Sequence, residues 1–91
     1  MRAEEFVKDP AAVLDYQWDW SDWLATSETI TAATITVPDG ITKDSETIAT
    51  TSVTVWLSGG TVGAAYTLDC LITTSAGRKD SRRMIVHVKD R

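Results

Sequence analysis

The sequence predicts one all-β domain, built as an antiparallel β-sandwich. Three observations support this prediction: short runs of alternating apolar and polar residues recur along the chain, turn signals rich in glycine, proline and serine separate them, and no segment shows the period of an amphipathic helix. A chain of 91 residues can bury one hydrophobic core but not two. We therefore expect a single domain over residues 11–91, preceded by an N-terminal arm over residues 1–10.

The clearest strand begins at residue 14. Its apolar face carries Leu14, Tyr16, Trp18 and Trp20. The opposite face carries Asp15, Gln17, Asp19 and Ser21. Such alternation predicts a half-buried strand. The following residues, up to 28, break the alternation and predict a turn, from which Trp23 packs back against the sheet.

The middle of the chain predicts one strand and one short extended segment. Residues 29–37 are nearly all β-branched or small, which is typical of a strand, and a change of phase predicts a bulge near residues 32–33. The sequence PDG at residues 38–40 predicts a turn. Only a short segment is expected around Ile41.

Three further strands are predicted nearer the C-terminus. In the segment 47–57 one face carries Val53, Val55 and Leu57, and Trp56 lies on the other face. Residues 66–74 alternate up to a turn at residues 75–77, and the last strand is expected over residues 82–88.

Tyr66 indicates which kind of β-sandwich the chain forms. It enters the penultimate strand after a glycine-rich corner, which resembles the tyrosine corner of immunoglobulin and fibronectin type III domains. We expect its hydroxyl to bond the backbone a few residues upstream and Cys70 to point into the core. Trp56 or Trp18 is expected to be the central aromatic residue. The predicted fold is thus an immunoglobulin/fibronectin-III-like antiparallel β-sandwich in which Trp56, Tyr66 and Cys70 have structural roles.

Charge and composition argue against nucleic acid as a partner. Residues 1–46 carry ten acids and three bases, whereas residues 47–91 carry three acids and six bases, giving the formal net charge of −4. A net acidic chain repels nucleic acid, and the short cluster Arg78, Lys79, Arg82 and Arg83 is expected to be a solvated turn. The opposite charges of the two halves permit head-to-tail contact between copies in a homo-oligomer.

Neither a secretion signal nor a membrane span is predicted. The first ten residues lack the apolar stretch of a signal peptide, and no apolar run reaches the roughly 18 residues that cross a bilayer. The single cysteine, Cys70, has no partner for an internal disulfide, which fits a reducing compartment.

No enzyme, cofactor or metal site is predicted. His87 is the only histidine, and its spacing from Cys70 matches neither a metal motif nor a catalytic motif. Asp15, Asp19 and Asp22 do not follow the calcium-loop pattern. Phosphate-loop, dinucleotide-binding and nucleophile-elbow motifs are absent from the sequence.

The dense aromatic strand has two interpretations. Tyr16, Trp18, Trp20 and Trp23 could form a stacking platform for a sugar ring, or a core seam that continues into a protein interface. We favour core plus interface, because a domain this small needs its large side chains inside. A carbohydrate- or surface-binding module that uses this strand is the alternative function.

Several segments resemble one family of small phage proteins. The resemblance rests on residues 8–16 (KDPAAVLDY), 18–21 (WDWS), 23–24 (WL), 55–60 (VWLSGG), 66–68 (YTL) and 72–78 (ITTSAGR). These strings are similar to fiber-tail adaptor or small virion proteins of tailed bacteriophages and prophages, which have an immunoglobulin-like fold. The resemblance implies a non-enzymatic structural protein that joins tail and fiber. It also implies a location in the virion, after assembly in the bacterial host cytoplasm.

An adaptor needs contact surfaces for tail and fiber proteins. Arms can add to the sheet edge of a neighbour, and aromatic side chains anchor interfaces. We therefore predict an interface made by Lys8, Asp9, Tyr16, Trp18, Trp20 and Trp23. On this hypothesis, removal of residues 1–10 leaves a folded domain that no longer joins particles.

Overall fold

A computed structural model describes residues 4–90 of the chain, and over this range it contains strands and turns but no helix. The strands are β1 (Glu4–Lys8), β2 (Leu14–Asp19), β3 (Ile30–Thr36), β4 (Ile41–Ile48), β5 (Ser52–Gly59), β6 (Ala65–Thr74) and β7 (Lys79–Val88). The predicted all-β class is therefore confirmed.

The strands form two sheets. The larger sheet has the order β1-β7-β6-β3, and the smaller has the order β2-β5-β4. All neighbouring strands are antiparallel except β1 and β7, which pair in parallel from Glu4↔Met84 to Lys8↔Val88. The chain crosses between the sheets at every connection except the β4–β5 and β6–β7 hairpins.

One core lies between the sheets. Residues alternate between the two faces of each strand, and the apolar ones lie on the face that points to the other sheet. The smaller sheet contributes Tyr16, Trp18, Ile41, Val53, Val55 and Leu57. The larger sheet contributes Ile30, Leu68, Cys70, Ile72, Met84, Val86 and Val88, with Tyr66 at its end. Leu14 differs from its prediction, since it lies at the start of an edge strand and remains 38% exposed.

The N-terminal segment differs from the predicted arm. Residues 1–3 lie outside the described part of the chain, but Glu4–Lys8 form β1 at the edge of the larger sheet. The ring of Phe6 lies 4.9 Å from the ring of Tyr16, centroid to centroid, so β1 covers one side of the core. The segment EEFVK does not alternate between apolar and polar residues, because its inward positions hold Phe6 and Lys8, and this is why the sequence did not reveal the strand.

The region around β4 also differs from its prediction. An eight-residue strand replaces the expected short segment, and β5 begins at Ser52 instead of residue 47. Alternation is hidden in β4 because a bulge falls between Lys43 and Ser45, and because most of its side chains are exposed and polar. In β3 the register shifts between Ile30 and Ala32, next to the predicted bulge.

Candidate interaction surface

The aromatic residues of β2 and the tryptophan that follows it lie in the core. Tyr16 is 8% exposed, Trp18 is 3% exposed and Trp20 is fully buried. In the folded domain these three side chains lie inside the sandwich, and the interface proposed for them stays a prediction. The sugar platform also stays a prediction, and of its four rings only Trp23 is half-buried.

Trp20 is held by the beginning of β7. Its indole Nε1 donates a hydrogen bond to Asp80 Oδ2 at 2.9 Å, and the guanidinium of Arg82 lies 4.9 Å from its ring centroid. Arg82 also donates to the backbone oxygen of Asp19. Arg82 is thus bound within the molecule. Arg78, another base of the C-terminal half, also lies over a tryptophan ring.

Arg78 fastens the turn after β2 to the β6–β7 hairpin. Its guanidinium lies 4.0 Å above the ring of half-buried Trp23, and its Nε donates to Glu28 Oε2 at 3.0 Å. The Glu28 carboxylate also accepts hydrogen bonds from the Thr74 hydroxyl and from the backbone N–H of Ala25. These donors, with Arg78 first, lower the pKa of Glu28 to about 2.

Lys8 and Asp9 were also predicted to contact a partner. Lys8 is fully buried, and its ammonium donates to the backbone oxygens of Asp9 and Gly59 at 2.8 Å each. Asp9 accepts from the N–H of Ala11 and shapes the turn after β1. Lys8 therefore closes one end of the sandwich and offers no free ammonium.

Tyr66 makes the contact expected of a tyrosine corner. The N–H of Thr61 donates to its hydroxyl oxygen at 2.9 Å. Its ring packs against Gly40, where φ is +102° and an added Cβ would lie 2.9 Å from Tyr66 Cε1. Cys70 is fully buried, and burial raises the pKa of its thiol to about 12.

Of the two tryptophans predicted as candidates for the central aromatic residue, Trp18 takes that position and Trp56 does not. Trp56 is 39% exposed on the outer face of the β2-β5-β4 sheet, and Trp18 is the aromatic residue in the core. Asp15 on β2 and Ser45 on β4 lie directly opposite Trp56 in the strand register. We call this region the Trp56 face and define it by Asp15, Asp44, Ser45 and Trp56. The sequence signal was present, since Trp56 alternates with the buried Val55 and Leu57.

The structure also bears on metal binding, catalysis and membranes. Within residues 4–90 no three side chains of His, Cys, Asp or Glu are placed to hold a metal ion together. His87 Nε2 lies 2.7 Å from Glu5 Oε1 and links β7 to β1. No helix in this range has the length and hydropathy to cross a bilayer.

Comparison with known proteins identifies a family. No curated protein matches the chain. A family model described as "Podophage GP4 fiber-tail adaptor protein gp77" matches residues 8–87, which include β2 to β6 and nearly all of β7. The resemblance found in the sequence is thereby confirmed, and the chain belongs to the podophage GP4 fiber-tail adaptor gp77 family.

Proposed function

We propose that this protein is a non-enzymatic structural component of a tailed phage or prophage particle, where it acts as an adaptor between tail and fiber. The match of the fiber-tail adaptor family to residues 8–87 carries this proposal, because it covers most of both sheets. The partners are then tail and fiber proteins. The protein becomes part of the virion after assembly in the host cytoplasm.

We also infer that the fold is immunoglobulin-like. Six of the seven strands, in the orders β2-β5-β4 and β3-β6-β7, correspond to strands B-E-D and C-F-G of immunoglobulin domains. Tyr66 lies at the start of β6, the position of the tyrosine corner. The first strand, β1, pairs with β7 and not with β2.

The chemistry of the side chains supports a non-enzymatic role. The raised pKa of Cys70 keeps its thiol protonated at neutral pH, and its burial separates it from substrates. His87 is paired with Glu5 on the outer face of the larger sheet, distant in the register from Cys70. Neither residue has the adjacent base or nucleophile that covalent catalysis needs.

Mass spectrometry of purified particles tests the proposal. Particles produced from a genome that carries this gene should contain the protein at a fixed ratio to a known tail protein. A ratio that stays constant through gradient purification and high-salt washing supports a structural component. Absence of the protein from particles with complete tails would overturn the proposal.

A further inference from the structure

We propose that the Trp56 face binds an arginine-bearing segment of a tail or fiber protein. The inference rests on the proposed adaptor function and assigns a contact surface to it. It concerns a face that the sequence did not single out. The interface residues predicted from the sequence are mostly buried or used within the fold.

The first argument is the use that the fold makes of each tryptophan. Trp18 fills the core, Trp20 is buried and bonded to Asp80, and Trp23 lies beneath Arg78. Within the described residues 4–90, no hydrogen bond, ion pair or ring contact involves the side chain of Trp56. A large, partly exposed aromatic side chain that makes no polar or ring contact within the fold is typical of an interface anchor.

The second argument is the position of two carboxylates. Asp15 lies opposite Trp56 on the β2 side. On the β4 side the bulge sets Asp44 and Ser45 against the single residue Trp56, because Lys43 pairs with Leu57 and Ser45 pairs with Trp56. Asp44 Oδ1 accepts a hydrogen bond from Ser58 Oγ, a residue of β5 on the same side of the strand as Trp56. The indole is thus flanked by a carboxylate on each neighbouring strand.

The third argument is charge complementarity. The strands β2, β4 and β5 contain a single basic residue, Lys43, and its ammonium is already paired with Glu46. The carboxylates of Asp15 and Asp44 therefore have no cation of their own sheet to neutralise them. A guanidinium suits this face, because it can stack on an indole and bond carboxylates in the same plane.

The outer face of the larger sheet does not have this character. There the charges alternate in sign, with Glu5 bound to His87 and Asp69 opposite Arg83 in the register. One of its exposed apolar residues, Leu71, lies among threonines and a serine. Leu71 is 41% exposed, compared with 39% for Trp56, and so provides a matched control position.

Competition for incorporation tests the proposal. A phage that lacks this gene is grown on cells that express wild-type protein and one variant in equal amounts, and both are quantified in purified particles by mass spectrometry. The variants are Trp56→Ala, the double variant Asp15→Asn/Asp44→Asn, and the control Leu71→Ala. All should remain folded at the growth temperature, which melting curves of the purified variants check, since the changed side chains lie on the surface and leave the core intact.

In competition, we expect Trp56→Ala and the double variant to be depleted from particles at least about tenfold. If they are incorporated, particles made with either variant alone should carry at least about tenfold less fiber protein. Leu71→Ala should behave as the wild type. Normal incorporation and normal fiber content with Trp56→Ala would overturn the inference while leaving the adaptor function intact. Wild-type protein missing from particles would instead refute the adaptor function itself.

A photo-crosslinking phenylalanine derivative at position 56 tests the chemistry of the partner. The intact protein carrying this residue is assembled into particles, irradiated and digested, and the crosslinked peptide is identified. A tail or fiber peptide that contains arginine supports the inference. A crosslink to a polysaccharide, or to a peptide without arginine, would contradict it.

Discussion

Glu28 shows how a single residue can connect two parts of the molecule, the turn after β2 and the β6–β7 hairpin. Its carboxylate receives bonds from Arg78, from the Thr74 hydroxyl and from the N–H of Ala25, although the side chain is almost wholly buried. Removing one partner of such a cluster leaves buried donors or acceptors without a hydrogen bond. Protonation of the carboxylate has a similar effect, because it removes the charge that these donors bind.

The lowered pKa of Glu28 predicts a defined pH dependence. Because its pKa falls from 4.5 in the unfolded chain to about 2 in the folded protein, its contribution is complete above pH 4.5 and is lost as the pH falls towards 2. Glu28→Gln should therefore lower the melting temperature at pH 7 and show a smaller difference from the wild type near pH 2. The control Asp22→Asn changes an exposed carboxylate of the same turn. Parallel curves for Glu28→Gln and the wild type would contradict this role.

Tyr66 gives a second test at the residue scale. Tyr66→Phe keeps the ring against Gly40 but removes the acceptor of the Thr61 N–H, so we expect the free energy of unfolding to fall by about 1 kcal/mol. Urea denaturation followed by fluorescence measures this difference. An unchanged midpoint would show that the corner contributes nothing to stability.

At the scale of elements, the two strands that carry tryptophan use opposite faces. In β2 the indole of Trp18 points into the core, whereas in β5 the indole of Trp56 points outward. The two residues have the same chemistry and lie three register positions apart on paired strands, and the phase of each strand decides which face its indole occupies.

This difference predicts unequal effects of truncation. Trp18→Ala should lower the free energy of unfolding by about 3–5 kcal/mol, because it opens a large cavity between the sheets. Trp56→Ala should lower it by clearly less, about 1 kcal/mol, because the indole is partly exposed and its removal opens no cavity between the sheets. Denaturation curves of both variants, measured together, check the assignment of the two faces. Equal losses of stability would contradict it.

The strand β1 makes a further prediction. Phe6 packs on Tyr16 and against the core, so Phe6→Ala should destabilise the domain by about 1–2 kcal/mol. The control Val7→Ala changes the neighbouring side chain, which is 39% exposed. If β1 were a free arm, both variants would unfold at the wild-type midpoint.

Sequence patterns predicted the elements whose core faces alternate, and missed those defined by tertiary contacts. Strands β2, β5, β6 and β7 could be found because buried residues recur at every second position. The strand β4 was missed, because an edge strand with a bulge buries little and follows no clean period. The aromatic density around β2 could indicate burial or contact equally well, and the structure places Tyr16, Trp18 and Trp20 in the core.

At the scale of the whole molecule, folding pairs some charges of the acidic first half with charges of the basic second half. The acidic first half and the basic second half meet at the end of the sandwich where Glu28 binds Arg78 and Arg82 reaches the backbone of Asp19. The remaining uncompensated carboxylates include Asp15 and Asp44 on the Trp56 face. A rigid sandwich with two outer faces of different character is suited to joining two partners.

Fiber content in particles that lack this protein tests the central claim most directly. Particles from an in-frame deletion of the gene and from the complemented strain are purified, and the ratio of fiber protein to tail protein is measured by quantitative mass spectrometry. The adaptor function predicts that deletion removes the fiber, lowering the ratio at least about tenfold, and that complementation restores it. A deletion particle with the normal ratio of fiber to tail would contradict the account.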